Sequence, residues 1–281
     1  PPGGLAAAVR LRLPALRQAG RGFFLRMRYK MDDKKTIGRI SKFESFGSVD
    51  GPGVRFIVFL QGCPMRCLYC HNPDTWTVGR GEERTAQSLI DEYLSVKEFL
   101  KGGGITVTGG EPLLQIDFVT ELFALAKQHS IHTCIDTSGI TFDPADTKKL
   151  DELLLLTDLV MLDIKHIDPA RHKALTGRDN ANILAFAKYL AAKDTPLWIR
   201  HVLVPGVTDN EHFLYELGFF IGGLKTLKAL DVLPYHTMAK AKYESLGLPY
   251  PLGNIPPATK EQAAMARDII MQGLKDRLRA K

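Results

Sequence analysis

Cysteine is scarce in this 281-residue chain: there are four, Cys63, Cys67, Cys70 and Cys134. Three of them crowd between positions 63 and 70, which argues against a disulfide-stapled scaffold and for metal binding. Long apolar runs are also lacking. No stretch approaches the ~20 residues that span a bilayer, and none has the uninterrupted apolar core of a secretory signal, so no membrane partner and a cytoplasmic location are expected. Acidic residues are missing from one end only: residues 1–30 hold seven of the 37 bases and no acid. The remainder balances 30 bases against 31 acids, so the net charge of +6 belongs to that end. Nucleic-acid binding needs a concentrated basic face, and the body of the chain offers none. Residues 1–30 could be a transit peptide or a basic anchor. They read better as a basic extension, disordered or outside the native chain, because ordinary composition starts at Met31. Internal repeats and low-complexity tracts are absent after it, and residues 31–281 read as one domain.

Six segments have the near-continuous apolar character of buried parallel strands: 54–60, 104–108, 131–136, 158–164, 196–204 and 227–233. Helical spacing alternates with them. Thr85 can cap a helix burying Leu89, Ile90, Tyr93 and Leu94, and the next places Phe118, Leu122 and Leu125 on one face. Segments 146–156, 180–193, 210–222 and 259–279 supply further helices. Repeated βα units predict an α/β protein with a parallel sheet, doubly wound or curled into a barrel, and six units make the barrel incomplete.

Cys63, Cys67 and Cys70 are spaced C-x3-C-x2-C directly after the first of these strands. Thiolates are the usual ligands of iron-sulfur clusters, and three of them leave one iron of a 4Fe-4S cubane open to a substrate. A zinc site completed by Cys134 or His71 is the competing reading, though no second paired cysteine element exists. A ferredoxin-like carrier would want a fourth nearby thiolate. Gly109 and Gly110 follow the second strand, where glycine lets main chain approach a ligand.

With Tyr69 before its last cysteine, the motif resembles that of the radical S-adenosylmethionine (SAM) superfamily, and Thr108-Gly109-Gly110-Glu111-Pro112 resembles its GGE motif. The run Ser45 to Arg55, SFGSVDGPGVR, and the later Asp74-Thr75-Trp76 are similar to the glycyl-radical-enzyme activases within it, a likeness extending from about Ile37 to the C-terminus. The resemblance implies an incomplete (β/α)6 TIM-like barrel and an oxidoreductase. One 4Fe-4S cluster would sit on Cys63, Cys67 and Cys70, reduced by flavodoxin or ferredoxin. Reductive cleavage of SAM to methionine and a 5'-deoxyadenosyl radical would then let that radical take hydrogen from a glycine of the partner under anaerobic conditions. The implied partner is a glycyl radical enzyme, pyruvate formate-lyase first among them, and the activase itself is a monomer.

By the same resemblance the catalytic residues are the three cysteines and Lys165, and SAM is contacted by Tyr69, Cys70, His71, Gly110, Asp163, Ile164, Lys165 and His236. Asp136, Thr137, Met161 and Asp163 match a monovalent-cation site, and Asp50 and Arg200 are candidates for holding the partner's peptide. Phe46 stands where related activases carry cysteine. Two alternatives stay open: activation of a different glycyl radical enzyme, and a non-catalytic iron-sulfur or zinc module. Activases with extra clusters are disfavoured, because no cysteine lies between Cys70 and Gly109.

Overall fold

The computed structural model describes residues 36–280 and a two-residue strand, β1 (Val9–Arg10). The expectation for residues 1–30 otherwise lies outside the described residues. In chain order the further strands are β2 (Ile37–Gly47), β3 (Arg55–Leu60), β4 (Glu82–Thr85), β5 (Gly104–Gly109), β6 (His132–Thr137), β7 (Leu159–Asp163), β8 (Leu197–Leu203) and β9 (Leu227–Pro234). The helices are α1 (Ala86–Val96), α2 (Ile116–Gln128), α3 (Lys148–Leu155), α4 (Pro169–Thr176), α5 (Ala181–Ala192), α6 (Glu211–Ile221), α7 (Lys240–Ser245) and α8 (Lys260–Arg279).

All strands join one sheet in the order β1-β9-β8-β7-β6-β5-β3-β2-β4. The six apolar segments of the sequence are its parallel part, β3 and β5 to β9. A doubly wound sheet reverses its strand order at a switch point. Here the parallel strands follow one another in a single direction, so the sheet is singly wound, as in a barrel. Its two ends pair outward instead of with each other, β3 to β2 and β9 to β1, both antiparallel. The arc therefore stays open, which is the incomplete (β/α)6 barrel that the six units predicted.

Alternation along the strands sorts side chains between two cores. On β8, Leu197, Ile199, His201 and Leu203 are buried while Trp198, Arg200 and Val202 between them are partly open. Val58, Val107, Ile135, Leu162 and Ile199 pack against Leu89, Leu122, Leu153, Phe186 and Leu217 of the helices. Each such side chain contributes about 1.5–3 kcal/mol by leaving water. Cys134, Leu159 and Met161 form a smaller cluster with Trp198, inside the arc.

Helix starts follow the sequence signals. The Thr85 hydroxyl accepts from the Ser88 amide, and Thr259 and Gln262 form a reciprocal capping box at α8. Strands β2 and β4 and the short helices α4 and α7 escaped the sequence reading. In β2 the apolar residues Ile37, Ile40, Phe43 and Phe46 stand three apart, the first and last of them exposed, and register shifts after Ile40 and after Glu44 interrupt the pairing with β3, so no two-residue alternation shows. Among the described residues no helix is long and apolar enough to cross a membrane.

Candidate active site

A barrel gathers its functional groups at the C-terminal strand ends, where loops are free to vary. Here a cavity of about 760 Å3 opens at those ends, and every parallel strand or the loop after it contributes to its wall. The three cysteines come from the loop after β3, Gly110 follows β5, Asp136 and Thr137 end β6, Asp163 ends β7 with Lys165 just beyond, Arg200 comes from β8 and His236 follows β9. Asp50 reaches the same wall from the turn before β3.

The cysteine loop is held by main-chain bonds to segments distant in sequence. The amides of Gly62 and Cys63 donate to the carbonyls of Thr75 and Trp76, and those of Arg66 and Leu68 donate to Thr176 and Leu175 at the end of α4. The Arg178 guanidinium, just past that helix, donates to the Pro64 carbonyl at 3.0 Å. Helix α4 is itself capped by Asp168, whose side chain accepts from the Arg171 amide, and it stops at Gly177. All four cysteines are free thiols. Burial pushes Cys63 up to about 11 and Cys67 up to about 12, so thiolates form there only beside positive charge, which Lys165 supplies in part and iron would complete.

Among the described residues no three His, Cys, Asp or Glu side chains converge on a single ion. A zinc site needs such convergence, with sulfurs about 2.3 Å from one metal. Cluster thiolates each bind a different iron and stand apart. Cys134 is fully buried below the cavity with Leu159 and Met161, so it does not join the other three. The zinc alternative thereby loses Cys134 as its fourth ligand.

Gly110 lies where a side chain cannot: a Cβ there would stand 2.1 Å from the Gly62 carbonyl oxygen. Its amide donates to Leu60 and that of Glu111 to Gly62, joining the GGE turn to the start of the cysteine loop. Glu111 is only 1% exposed, and its role was not legible in the sequence. Its carboxylate accepts from the Thr137 hydroxyl at 2.5 Å, the Ser138 hydroxyl at 2.6 Å and the amides of Ser138 and Leu113 at 3.1 Å. One side chain thereby locks the ends of β5 and β6 together.

A row of charges crosses the cavity wall. Asp136 accepts from the Thr108 hydroxyl at 2.9 Å and from Arg200 at 2.8 Å through the same oxygen. Arg200 also faces Asp163 at 3.9 Å, and Lys165 donates to Asp163 at 3.0 Å. Although burial opposes its charge, Asp163 holds the Lys165 ammonium well above its ordinary pKa. Lys165 also sits over the Tyr69 ring, 5.6 Å from its centroid. Asp231 on β9, opposite Arg200 in the sheet, lines the cavity as well and was missed as a lone acid within an apolar strand.

His71 and His236 stack with ring centroids 4.3 Å apart and planes at 13°. Burial and then the neighbouring His236 push His71 down to about 4, so it stays neutral near pH 7. Its Nε2, the Tyr69 hydroxyl and Asp136 Oδ1 are buried without hydrogen-bond partners. Such orphans on a cavity wall call for a polar ligand, and the amino, carboxylate, ribose and adenine groups of SAM match their chemistry.

Two residues expected at the site are not on the cavity wall. Ile164 packs into the helix-facing core, its amide donating to Arg200 and its carbonyl accepting from His201 at 2.8 Å. Met161 is fully buried beside Cys134, opposite Asp136 in the sheet. Its side chain is part of the packing and the Thr137 hydroxyl donates to Glu111, so what these two positions would bring to the expected cation site is main-chain oxygen. Of the expected cation ligands, Asp136 and Asp163 keep carboxylates at the wall.

The radical SAM superfamily profile matches residues 57–217. The chain is 50% identical over 240 residues to the pyruvate formate-lyase-activating enzyme of Listeria monocytogenes, covering 84% of this chain and 97% of that relative. It is 45% identical over 240 residues to the pyruvate formate-lyase 1-activating enzyme of Escherichia coli K12, covering 84% and 96%. Among solved structures, a domain of pyruvate-formate lyase-activating enzyme from Bacteroides vulgatus superposes with a TM-score of 0.50 at 25% identity, over 61% of this chain and 95% of that one. Streptococcus suis SuiB bound to precursor peptide SuiA superposes with a TM-score of 0.57 at 17% identity, over 77% and 45%, a likeness of fold. The three-cysteine loop, the GGE turn and the open barrel thus have one common explanation, and the chain belongs to the radical SAM superfamily, in the family of pyruvate formate-lyase-activating enzymes.

Proposed function

We propose that this chain activates pyruvate formate-lyase by placing a glycyl radical on it. The observation carrying the reading is the meeting of Cys63, Cys67 and Cys70 with Gly110, Asp163 and Lys165 on one cavity wall. When bound, the 4Fe-4S cluster supplies the electron that cleaves SAM to methionine and a 5'-deoxyadenosyl radical, which takes a Cα hydrogen from the target glycine.

The chain's own residues bind, orient and exclude water. Tyr69, His71, Gly110, Asp163, Lys165 and His236 hold SAM, with Cys70 beside it and Ile164 contributing main chain only. The Asp163–Lys165 pair presents both charge signs, which suits a zwitterionic methionine group. The unpartnered Asp136 Oδ1 and the Asp163 carboxylate offer hard oxygens to a monovalent cation. Asp50 and Arg200 receive the partner's peptide loop, which enters through the open side of the arc. The electron donor is a flavodoxin or ferredoxin, and the activase works as a cytoplasmic monomer.

Anaerobic reconstitution with iron and sulfide, followed by reduction, SAM and pyruvate formate-lyase, tests the reading. The expected result is 5'-deoxyadenosine together with the glycyl-radical EPR doublet on the partner. SAM cleavage with a doublet on another glycyl radical enzyme and none on pyruvate formate-lyase overturns the assignment of partner.

A further inference from the structure

The turn Asp50-Gly51-Pro52-Gly53 leads into Arg55, whose side chain is wholly buried. Its hydrogen-bond partners are neutral. They include His132 Nδ1, 3.3 Å from Nη2, in an imidazole that burial and then Arg55 itself hold below its ordinary pKa. Nε donates to Thr106 Oγ1, Nη1 to the Pro52 carbonyl at 3.1 Å, and Nη2 to the Ile105 carbonyl at 2.7 Å and the His132 carbonyl at 3.4 Å. The Thr106 hydroxyl then donates to the Asp50 carbonyl at 2.7 Å. Two carbonyls of the turn, those of Asp50 and Pro52, are thus tied to one guanidinium, directly or through one hydroxyl.

The glycines fit the same device. Gly51 has φ +123°, and a Cβ there would stand 2.9 Å from Arg55 Cδ. Gly53, at φ +75°, packs so closely on Gly102 that a Cβ would lie 2.2 Å from its carbonyl oxygen. The turn is clamped between the guanidinium and the main chain before β5. Filling this interior needs no charge, and a well-packed apolar residue would carry a smaller desolvation penalty. A planar fork with five donors does what no apolar residue can: it fixes several carbonyls at once.

We infer that Arg55, acting through Thr106, is a positioning residue that sets Asp50 on the cavity wall and thereby governs affinity for the partner's peptide loop. This rests on the reading of Asp50 as a peptide-holding residue. Arg55 opens β3 and touches neither the cysteine loop nor the SAM-facing residues, so its effect falls on the partner and not on SAM.

The test uses reconstituted enzyme and reads three quantities: KM for pyruvate formate-lyase in glycyl-radical formation, 5'-deoxyadenosine formed without partner, and iron content. Thr106→Val keeps the side-chain shape and removes both bonds; Thr106→Ser keeps the hydroxyl; Arg55→Lys keeps the charge and loses the fork. Thr106→Val and Arg55→Lys are expected to raise KM at least tenfold, with partner-free SAM cleavage and iron content within twofold of the unmodified enzyme. Thr106→Ser should restore KM to within twofold. In an Asp50→Asn background Thr106→Val should add nothing, since the carboxylate that the Thr106 bond positions is already gone. If Asp50→Asn raises KM and Thr106→Val does not, the positioning role is overturned and the reading of Asp50 stands. If Asp50→Asn leaves KM unchanged, the reading of Asp50 falls and the inference falls with it.

Discussion

Replacing Asp50 by asparagine should make the protein more stable as pH rises. Burial pushes this carboxyl from the ordinary 3.8 up to about 6, with repulsion from Asp136 adding and Arg200 partly offsetting. A group whose folded pKa exceeds its unfolded one binds its proton more tightly in the native state. Folding stability therefore falls as pH climbs from 3.8 to 6, and the loss is complete above that window. The difference corresponds to about 3 kcal/mol as an upper figure. Asparagine has nearly the same shape and does not ionise, so Asp50→Asn removes the penalty. For a domain of this size the gain amounts to about 5–10 °C in Tm above pH 7 and vanishes near pH 4. Scanning calorimetry of iron-free protein, variant against unmodified chain, measures it at several pH values across the window. A difference in Tm that is constant with pH, or that shrinks as pH rises, refutes the reasoning. The gain in stability should come with loss of glycyl-radical formation, as expected for a charge kept at a site for function.

Ala in place of Cys63, Cys67 or Cys70 should abolish cluster assembly and SAM cleavage, whereas Cys134→Ala, removing one sulfur from an inner apolar cluster, should cost about 1 kcal/mol and leave both in place; iron content and 5'-deoxyadenosine yield decide between them. Glu111→Gln turns one acceptor into a donor, facing either Thr137 and Leu113 or the amide and hydroxyl of Ser138, and should cost about 2–3 kcal/mol in denaturant unfolding while raising KM for SAM; an unchanged midpoint would show that the β5 and β6 ends do not depend on it. Deleting residues 1–30 removes the pairing of Val9–Arg10 with β9 and should leave SAM cleavage unchanged, since the described cavity wall runs from Ser48 to Arg267; loss of cleavage in the truncated protein would show that the extension supports the barrel.

The parallel strands were legible because a strand covered on both faces must be apolar throughout, as β3 is from Phe56 to Leu60. Strand β2, antiparallel and paired by β4 over Ile37–Ile40 alone, obeys no such demand, and register shifts interrupt its alternation. Helix α4 is two turns long and buries only His172, Leu175 and Thr176, too little for a period to show. At the site, the cysteines were legible because cluster chemistry restricts their spacing. Asp163, Lys165 and His236 came from family resemblance, and the fold does bring them to one wall. The work of Glu111 was hidden, because a carboxylate in sequence looks solvent-bound, and its donors arrive only when two strand ends close around it. Ile164 shows the opposite limit: strand alternation turns its side chain to the helices, so a motif position and a cavity-wall position are different things.

The cysteine loop leans on Leu175, Thr176 and Arg178, about a hundred residues further along the chain. During synthesis, then, the three thiols emerge long before the helix that shapes their loop. A nascent chain ending before residue 178 has every ligand but only the part of the scaffold that Thr75, Trp76 and Glu111 provide, leaving reactive sulfur more open to a passing metal or oxidant. Contacts so distant in sequence form late, because closing a long segment has an entropic cost before any contact rewards it. A fully supported cysteine loop is accordingly not available until residue 178 has been made, when four of the six parallel strands are already in the chain.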